Sequence, residues 1–190
     1  NLHWGFKAVA SELSALTGLP AKAANDANIA ALGEAWKGAA EGSKNVILVT
    51  LGTGVGGGII IDSKIIAGYH GAGGEIGHAC VNHNEVRPCN CGNHGCLEQY
   101  ASATGISRLA RKKMEHETRA TILTKEDLSA KAVFDAVKEG DEVAIEVATE
   151  MGNYLGHAMA DMAAVLDPAV FVIGGGVSKA GEVLLSFIEK

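Results

Sequence analysis

The stretch NVILVTLGTGVGGGIIIDSKII, residues 45 to 66, holds two β-branched runs, Val46 to Leu51 and Gly58 to Ile61, on either side of a glycine-rich segment. Short apolar runs bounded by turn residues are strand signals, and glycine supplies the backbone angles that a reversal needs. The segment therefore predicts a strand, a turn and a second strand, with Asp62 and Ser63 turning the chain once more into Ile65 and Ile66.

Helical patterns surround this hairpin. Residues 7 to 18, KAVASELSALTG, space Val9, Leu13 and Leu16 along one helical face and stop on Gly18. Pro20 biases its predecessor away from helix, so LPAKAAND reads as an extended link. ANIAALGEAWKGAA, from Ala27 to about Ala40, is alanine-rich and helical, with Asn25 or Asp26 in the capping position. Residues 67 to 98 are loop-rich. Helix periodicity returns in SATGISRLARKKME, in LSAKAVFDAVKEG at 128 to 140, and in the amphipathic stretch 141 to 166. The last unit is a buried strand from Ala169 to Ile173, the triplet Gly174, Gly175 and Gly176, and a helix. That order brings backbone N–H groups near phosphate or ribose in nucleotide-binding folds. Hairpins mixed with strand-to-helix turns predict an α/β fold, and 190 residues make one large domain or one and a fraction.

Charge and composition exclude other classes. The formal net charge is -6, and the basic residues are scattered apart from RLARKK at 108 to 113. On a helix that run reads as a solvated face and not as a nucleic-acid patch. No apolar run approaches the roughly 20 residues of a membrane span. The opening NLHWGF has neither methionine nor a basic leader, so no signal peptide is expected, and a reducing cytoplasmic compartment is.

Three of the four cysteines, Cys89, Cys91 and Cys96, fall in the C-x-C-x4-C loop CNCGNHGC. Zinc takes four ligands in a tetrahedron from thiolate and imidazole, and Gly92 and Gly95 let this loop fold back between its cysteines. The fourth ligand comes from His78, Cys80, His83 or His94. His94 lies inside the loop, where reaching the same ion would strain it. His78 and Cys80, two apart and so on one side of an extended chain, remain equal on spacing. Buried reduced thiols without metal are the plainer alternative. A closed four-ligand site would be structural, shaping the loop and leaving the chemistry to other groups.

GLPAKAANDANIAALGE at 18 to 34, LVTLGTGVGGGII at 48 to 60, GGEIGH at 73 to 78, the cysteine loop and DPAVFVIGGGVS at 167 to 178 together resemble, in order, the ROK family of bacterial sugar kinases and related repressors. The resemblance implies an actin-like, hexokinase-like (ribonuclease H-like) α/β ATPase fold of two lobes. Residues 1 to 43 would end the first lobe, and 44 to 190 would form most of the second. It also implies an internal segment, because the family's first Asp-x-Gly-Gly-Thr-type phosphate hairpin has no counterpart and relatives continue beyond the last helix.

By resemblance the fourth metal ligand is His78, with Cys80 a bystander. Asp26 becomes the base that accepts the proton of the attacking hydroxyl, against the plain reading of a helix cap. Asn25, Glu75, His78 and Glu98 bind sugar hydroxyls. Asn25 would otherwise be a turn residue, and Glu98 a carboxylate opening a helix over 98 to 110. Gly52, Thr53, Gly54 and Gly56 match the second phosphate loop, and Gly174, Gly175 and Gly176 the adenosine-side turn. Zinc would fix His78 and Glu98 at the cleft. The implied reaction is ATP-dependent phosphorylation of a hexose, with glucose first and an N-acetylhexosamine or fructose as alternatives. Mg2+ would arrive with ATP. A sugar-responsive repressor is the alternative from another class, although a sensor needs neither Asp26 nor the LGTGVGGG loop. A homodimer is implied as well.

Overall fold

The computed structural model describes Gly5 and residues 7 to 189. The expected hairpin forms from β1 (Val46–Leu51) and β2 (Val55–Ile61), antiparallel, with Leu51 opposite Val55. A two-residue strand, β3 (Lys64–Ile65), extends the sheet beyond β2. On the other side β1 pairs in parallel with β4 (Val170–Gly174), Val46 opposite Val170, giving the order β3-β2-β1-β4.

The second strand begins at Val55, earlier than the expected Gly58, so Gly56 to Gly58 belong to the sheet and only three residues turn. Packing explains why glycines stand there. A Cβ added at Gly58 would lie 2.6 Å from the Ala31 methyl of α2 (Asp26–Lys37), and one at Gly57 would lie 2.5 Å from the Gly74 carbonyl oxygen. Helix and loop thus sit directly on the strand's backbone.

Helices cover both faces of the sheet. Ile47, Val49 and Leu51 point into the main core, while Val46 and Leu48 point into a smaller one with Ala31, Ala40, Ile60 and Val172. This alternation is the period of a strand buried on both sides, which is why its sequence reads as continuously apolar. The main core is built largely by α6 (Glu142–Leu166), which buries Val143, Val147, Met151 and Leu155 along one face. It also takes in residues of α4 (Ala103–Met114) and α5 (Ala130–Lys138). Side chains start these helices: Ser129 accepts from the Ala132 N–H at 3.1 Å, and Asp141 from the Ala144 N–H at 2.9 Å.

Several boundaries differ from expectation. α1 (Val9–Thr17) ends on left-handed Gly18 as predicted but buries none of its residues. α2 is capped by Asn25 and stops at Lys37, where the Glu34 carboxylate accepts the Ala39 N–H at 2.8 Å and the chain turns away. The single helix expected over 98 to 110 is two: α3 (Glu98–Ala101), then α4. Buried Ser102 divides them, its hydroxyl donating to the Glu98 carbonyl at 2.7 Å and accepting the Gly105 N–H at 2.9 Å. After β4 the glycines lead into a 3-10 turn (Val177–Ala180), and Gly181 at φ 71° separates it from α7 (Glu182–Ile188). Among the described residues no helix is long and apolar enough to cross a membrane.

Candidate functional site

The β1–β2 turn is held from outside. Gly52 N–H donates to the Gly54 carbonyl at 2.9 Å, closing the reversal. The start of α4 takes up two other carbonyls: Ala103 N–H donates to Gly52 at 2.8 Å, and the Thr104 hydroxyl to Thr53 at 2.8 Å. The N–H groups of Thr53 and Gly54 find no acceptor among the described residues. Such a turn, with its carbonyls spoken for and its N–H groups spare, suits an anion.

A cavity of about 490 Å³ opens beside this turn, lined by Asp26, Thr50, Gly52, Gly54, Gly56, Glu98 and Gly175. Asp26 is the first residue of α2 and exposed; its Oδ1 accepts the Ala27 N–H at 2.8 Å, leaving Oδ2 for the cavity. Capping falls to Asn25, whose Oδ1 accepts the Asn28 N–H at 3.1 Å while its amide nitrogen has no partner among the described residues. Glu98 opens α3, and its Oε2 accepts the Val55 N–H at 3.1 Å. Gly54 is needed for that contact, since a Cβ there would collide with the Glu98 carboxylate.

The cysteine loop packs behind Glu98. One ligand atom each from His78, Cys89, Cys91 and Cys96 lies within 4.8 Å of all the others. Cys91 Sγ is 3.6 Å from Cys96 Sγ, and Cys89 Sγ is 3.9 Å from His78 Nδ1. Tetrahedral zinc with bonds of about 2.3 Å places its ligand atoms roughly 3.8 Å apart, so the donor set and spacing fit that ion. Burial pushes the Cys96 thiol up to about 12, while a hydrogen bond with the Asn93 backbone lowers Cys91. A dication would compensate thiolates gathered in this way. Cys80 stands outside the group, exposed, with its sulfur 3.4 Å from His83 Nδ1. Its backbone bridges to Cys96, yet its thiol is not among the ligand atoms gathered there.

A polar network anchors the loop's far end. The Tyr100 hydroxyl donates to Glu85 at 2.7 Å, Arg108 Nη1 to the same Oε2 at 3.0 Å, and Asn82 to the Tyr100 oxygen at 3.0 Å. The Tyr100 hydrogen bond, with smaller help from the Arg87 backbone and from Arg108, holds the Glu85 carboxyl down at about 2. Burial and Glu85 push Tyr100 up to about 12.

A second cavity, about 480 Å³, lies between Ala103, α5 and the segment from Gly176 to Ala180, with Phe134 on its wall and Lys131, Lys138 and Lys179 around it. Ala103 lines this cavity and its N–H holds Gly52, which lines the first, so one hydrogen bond links the walls of the two.

The structure thus gathers Asp26, Gly52, Gly54, Gly56, Glu98 and Gly175 on one cavity and puts Gly176 on its neighbour. Thr53 and Gly174 lie next to these in sequence without lining either. Asn25 and Glu75 are exposed and line neither cavity, and His78 belongs to the cysteine group. Sequence reasoning missed Thr50, Ala103, Thr104 and Phe134. A lone hydroxyl in the apolar run VILVTL was the signal for Thr50; the others depend on which helix reaches the turn.

A family model described as the ROK family matches residues 1–190. The chain is 47% identical to a glucokinase of Halalkalibacterium halodurans, covering all of this chain and 59% of the relative. It superposes on the crystal structure of a ROK family glucokinase from Streptomyces griseus in complex with glucose and AMPPNP with a TM-score of 0.85, at 36% identity over 100% of this chain and 62% of that one. A ROK family transcriptional regulator, a homologue of the E. coli MLC protein, matches with a TM-score of 0.86 at 33% identity, over 99% of this chain and 48% of that one. The chain therefore spans about three fifths of the glucokinases it matches. Its architecture is the actin-like, hexokinase-like ATPase fold.

Proposed function

Because this chain belongs to the ROK family, we propose that it forms the sugar-holding and nucleotide-holding part of an ATP-dependent hexose kinase, with glucose as first candidate. The observation that carries this reading is that Asp26 and the Gly52–Gly54 turn line one cavity of about 490 Å³. A carboxylate and Gly54, whose N–H is spare, then border the same space.

An alcohol is a poor nucleophile, and phosphoryl transfer needs a base near it and a cradle for the phosphates. Asp26 takes the hydroxyl proton as the sugar oxygen bonds to the γ-phosphorus and the bond to the β-phosphate oxygen breaks, releasing ADP. Thr53 and Gly54, with Gly52 and Gly56 leaving room, present N–H groups to the phosphates. Gly174, Gly175 and Gly176 border the adenosine side, and the cavity walled by Phe134 accepts the base. Mg2+ bound with ATP would neutralise phosphate charge. Asn25, Glu75, His78 and Glu98 hydrogen-bond the sugar hydroxyls. His78, Cys89, Cys91 and Cys96 hold zinc, which supplies a rigid clamp on the loop and keeps His78 and Glu98 in place. Residues 1 to 43 close the first lobe and 44 to 190 form the second; the working protein is a cytoplasmic homodimer.

ADP release with magnesium-ATP, measured for the full protein on glucose, N-acetylglucosamine, N-acetylmannosamine and fructose with Asp26→Asn as control, tests the reading. Turnover on one of these sugars that vanishes in the control supports it. Binding of a sugar without turnover on any of them would favour a sugar-responsive repressor, the reading suggested by the match to a transcriptional regulator.

A further inference from the structure

The RLARKK run does not behave as one solvated face. Lys113 pairs with Glu146, and Arg108 is turned inward by Glu85, stacking 4.9 Å from the Tyr100 ring centroid. Arg111 instead joins Arg87 and Arg108 around a cavity of about 310 Å³ on the far side of the cysteine loop, with Asn90 also on its wall. α4 brings this about by periodicity, since positions 108 and 111 are three apart and face the loop that carries Arg87.

The charges there are unbalanced. Neither Arg87 nor Arg111 has a carboxylate partner among the described residues. Arg108 uses three of its N–H donors, one on Glu85 at 3.0 Å and two on the Gln99 carbonyl at 3.2 and 2.8 Å. A guanidinium has five, so two remain. The one acid on the wall, Glu98, is already accepting from Val55. Two unpaired guanidiniums and the edge of a third, around a concave space at the small end of ligand pockets, match a compact dianion.

We infer that this cavity is a phosphate site, taking inorganic phosphate or the phosphoryl group of a small phosphate ester, separate from the Gly52–Gly54 turn. The inference does not depend on the kinase reading, since binding is measured without ATP or turnover. Its wall is shared with the cleft through Glu98 and with the cysteine loop through Cys89.

Calorimetric titration of the purified full protein with inorganic phosphate, and separately with glucose 6-phosphate, tests it at low salt. Arg87→Ala and Arg111→Ala should each weaken binding about tenfold or more, and Lys112→Ala, outside the cavity, should leave it unchanged. Thermal melts check that each variant is folded, and Arg111→Lys should restore part of the affinity. Equal affinities for the two ligands assign the phosphoryl group alone; tighter, arginine-dependent binding of the ester assigns the sugar as well. Absence of saturable binding, or binding that survives both arginine variants and so belongs to the glycine turn, overturns the inference.

Discussion

The Glu98 carboxylate accepts the backbone N–H of Val55 at 3.1 Å, across 43 residues of sequence. Through this bond the second residue after Cys96 holds the end of the glycine turn. The other carboxylate oxygen lies 3.9 Å from Cys89 Sγ, so one side chain joins the cysteine loop to the phosphate-type turn.

Glu98→Ala should lower stability by about 1.5–3 kcal/mol, the range for a hydrogen bond to a charged group, whereas Glu98→Gln, which keeps an acceptor, should cost less. Gly54→Ala should displace the same carboxylate, because Gly54 has no positive φ to protect and the atoms nearest to an added Cβ all belong to Glu98. The two sites are therefore coupled. Denaturant midpoints of both single variants and the double variant should show that the second change costs clearly less after the first; additive losses would contradict the contact.

Asp26→Asn should reduce phosphoryl transfer by about 10²-fold or more while sugar affinity and melting temperature stay near those of the parent. Stability is spared because Asn25, not Asp26, caps α2. Asn25→Ala should show the converse in thermal melts, losing about 1 kcal/mol of stability. Near-normal turnover in Asp26→Asn would remove the base assignment.

Purified protein should carry one zinc per chain by elemental analysis, and Cys91→Ser should release it. Cys91 is exposed, so the exchange leaves no buried cavity and isolates the effect of the metal. Sugar affinity should fall with the metal, because His78 and the loop leading to Glu98 lose a fixed position. Unchanged affinity in a metal-free variant would break the link between cluster and cleft.

Glu85 gives the fold an acid dependence. Its folded carboxyl sits at about 2 against an ordinary 4.5, chiefly through the Tyr100 hydroxyl. A depressed carboxylate contributes stability that is complete above the unfolded value and lost as pH falls through the folded one. Denaturation curves taken between pH 5 and about 2 should therefore show a loss that Glu85→Gln flattens, and a parallel decline in that variant would place the effect elsewhere.

The sequence alone determined the local units. Strand β1, the glycine turn, the start of α2 at Asn25 and Asp26, the long helix α6 and the strand before Gly174 were legible, because periodicity, capping and turn chemistry act over a few residues. The cysteine trio was legible for the same reason, its spacing being a local property. Tertiary structure decided the rest. Whether His78 or Cys80 joins the trio depends on a 3-10 turn (Ile76–His78) and on the Cys80 sulfur lying against His83, and not on spacing. The break at Ser102 follows from a buried hydroxyl that holds Glu98 and Gly105 together, and this break lets α4 reach the glycine turn. The division of RLARKK into paired Lys113, inward Arg108 and unpaired Arg111 required knowing where Glu146, Glu85 and Arg87 lie. The cysteine group, the reach of α4 to the glycine turn and the pairing within RLARKK rest on groups far apart in the chain, brought together only when the sheet and α6 bury their shared apolar faces. No local pattern records such a meeting.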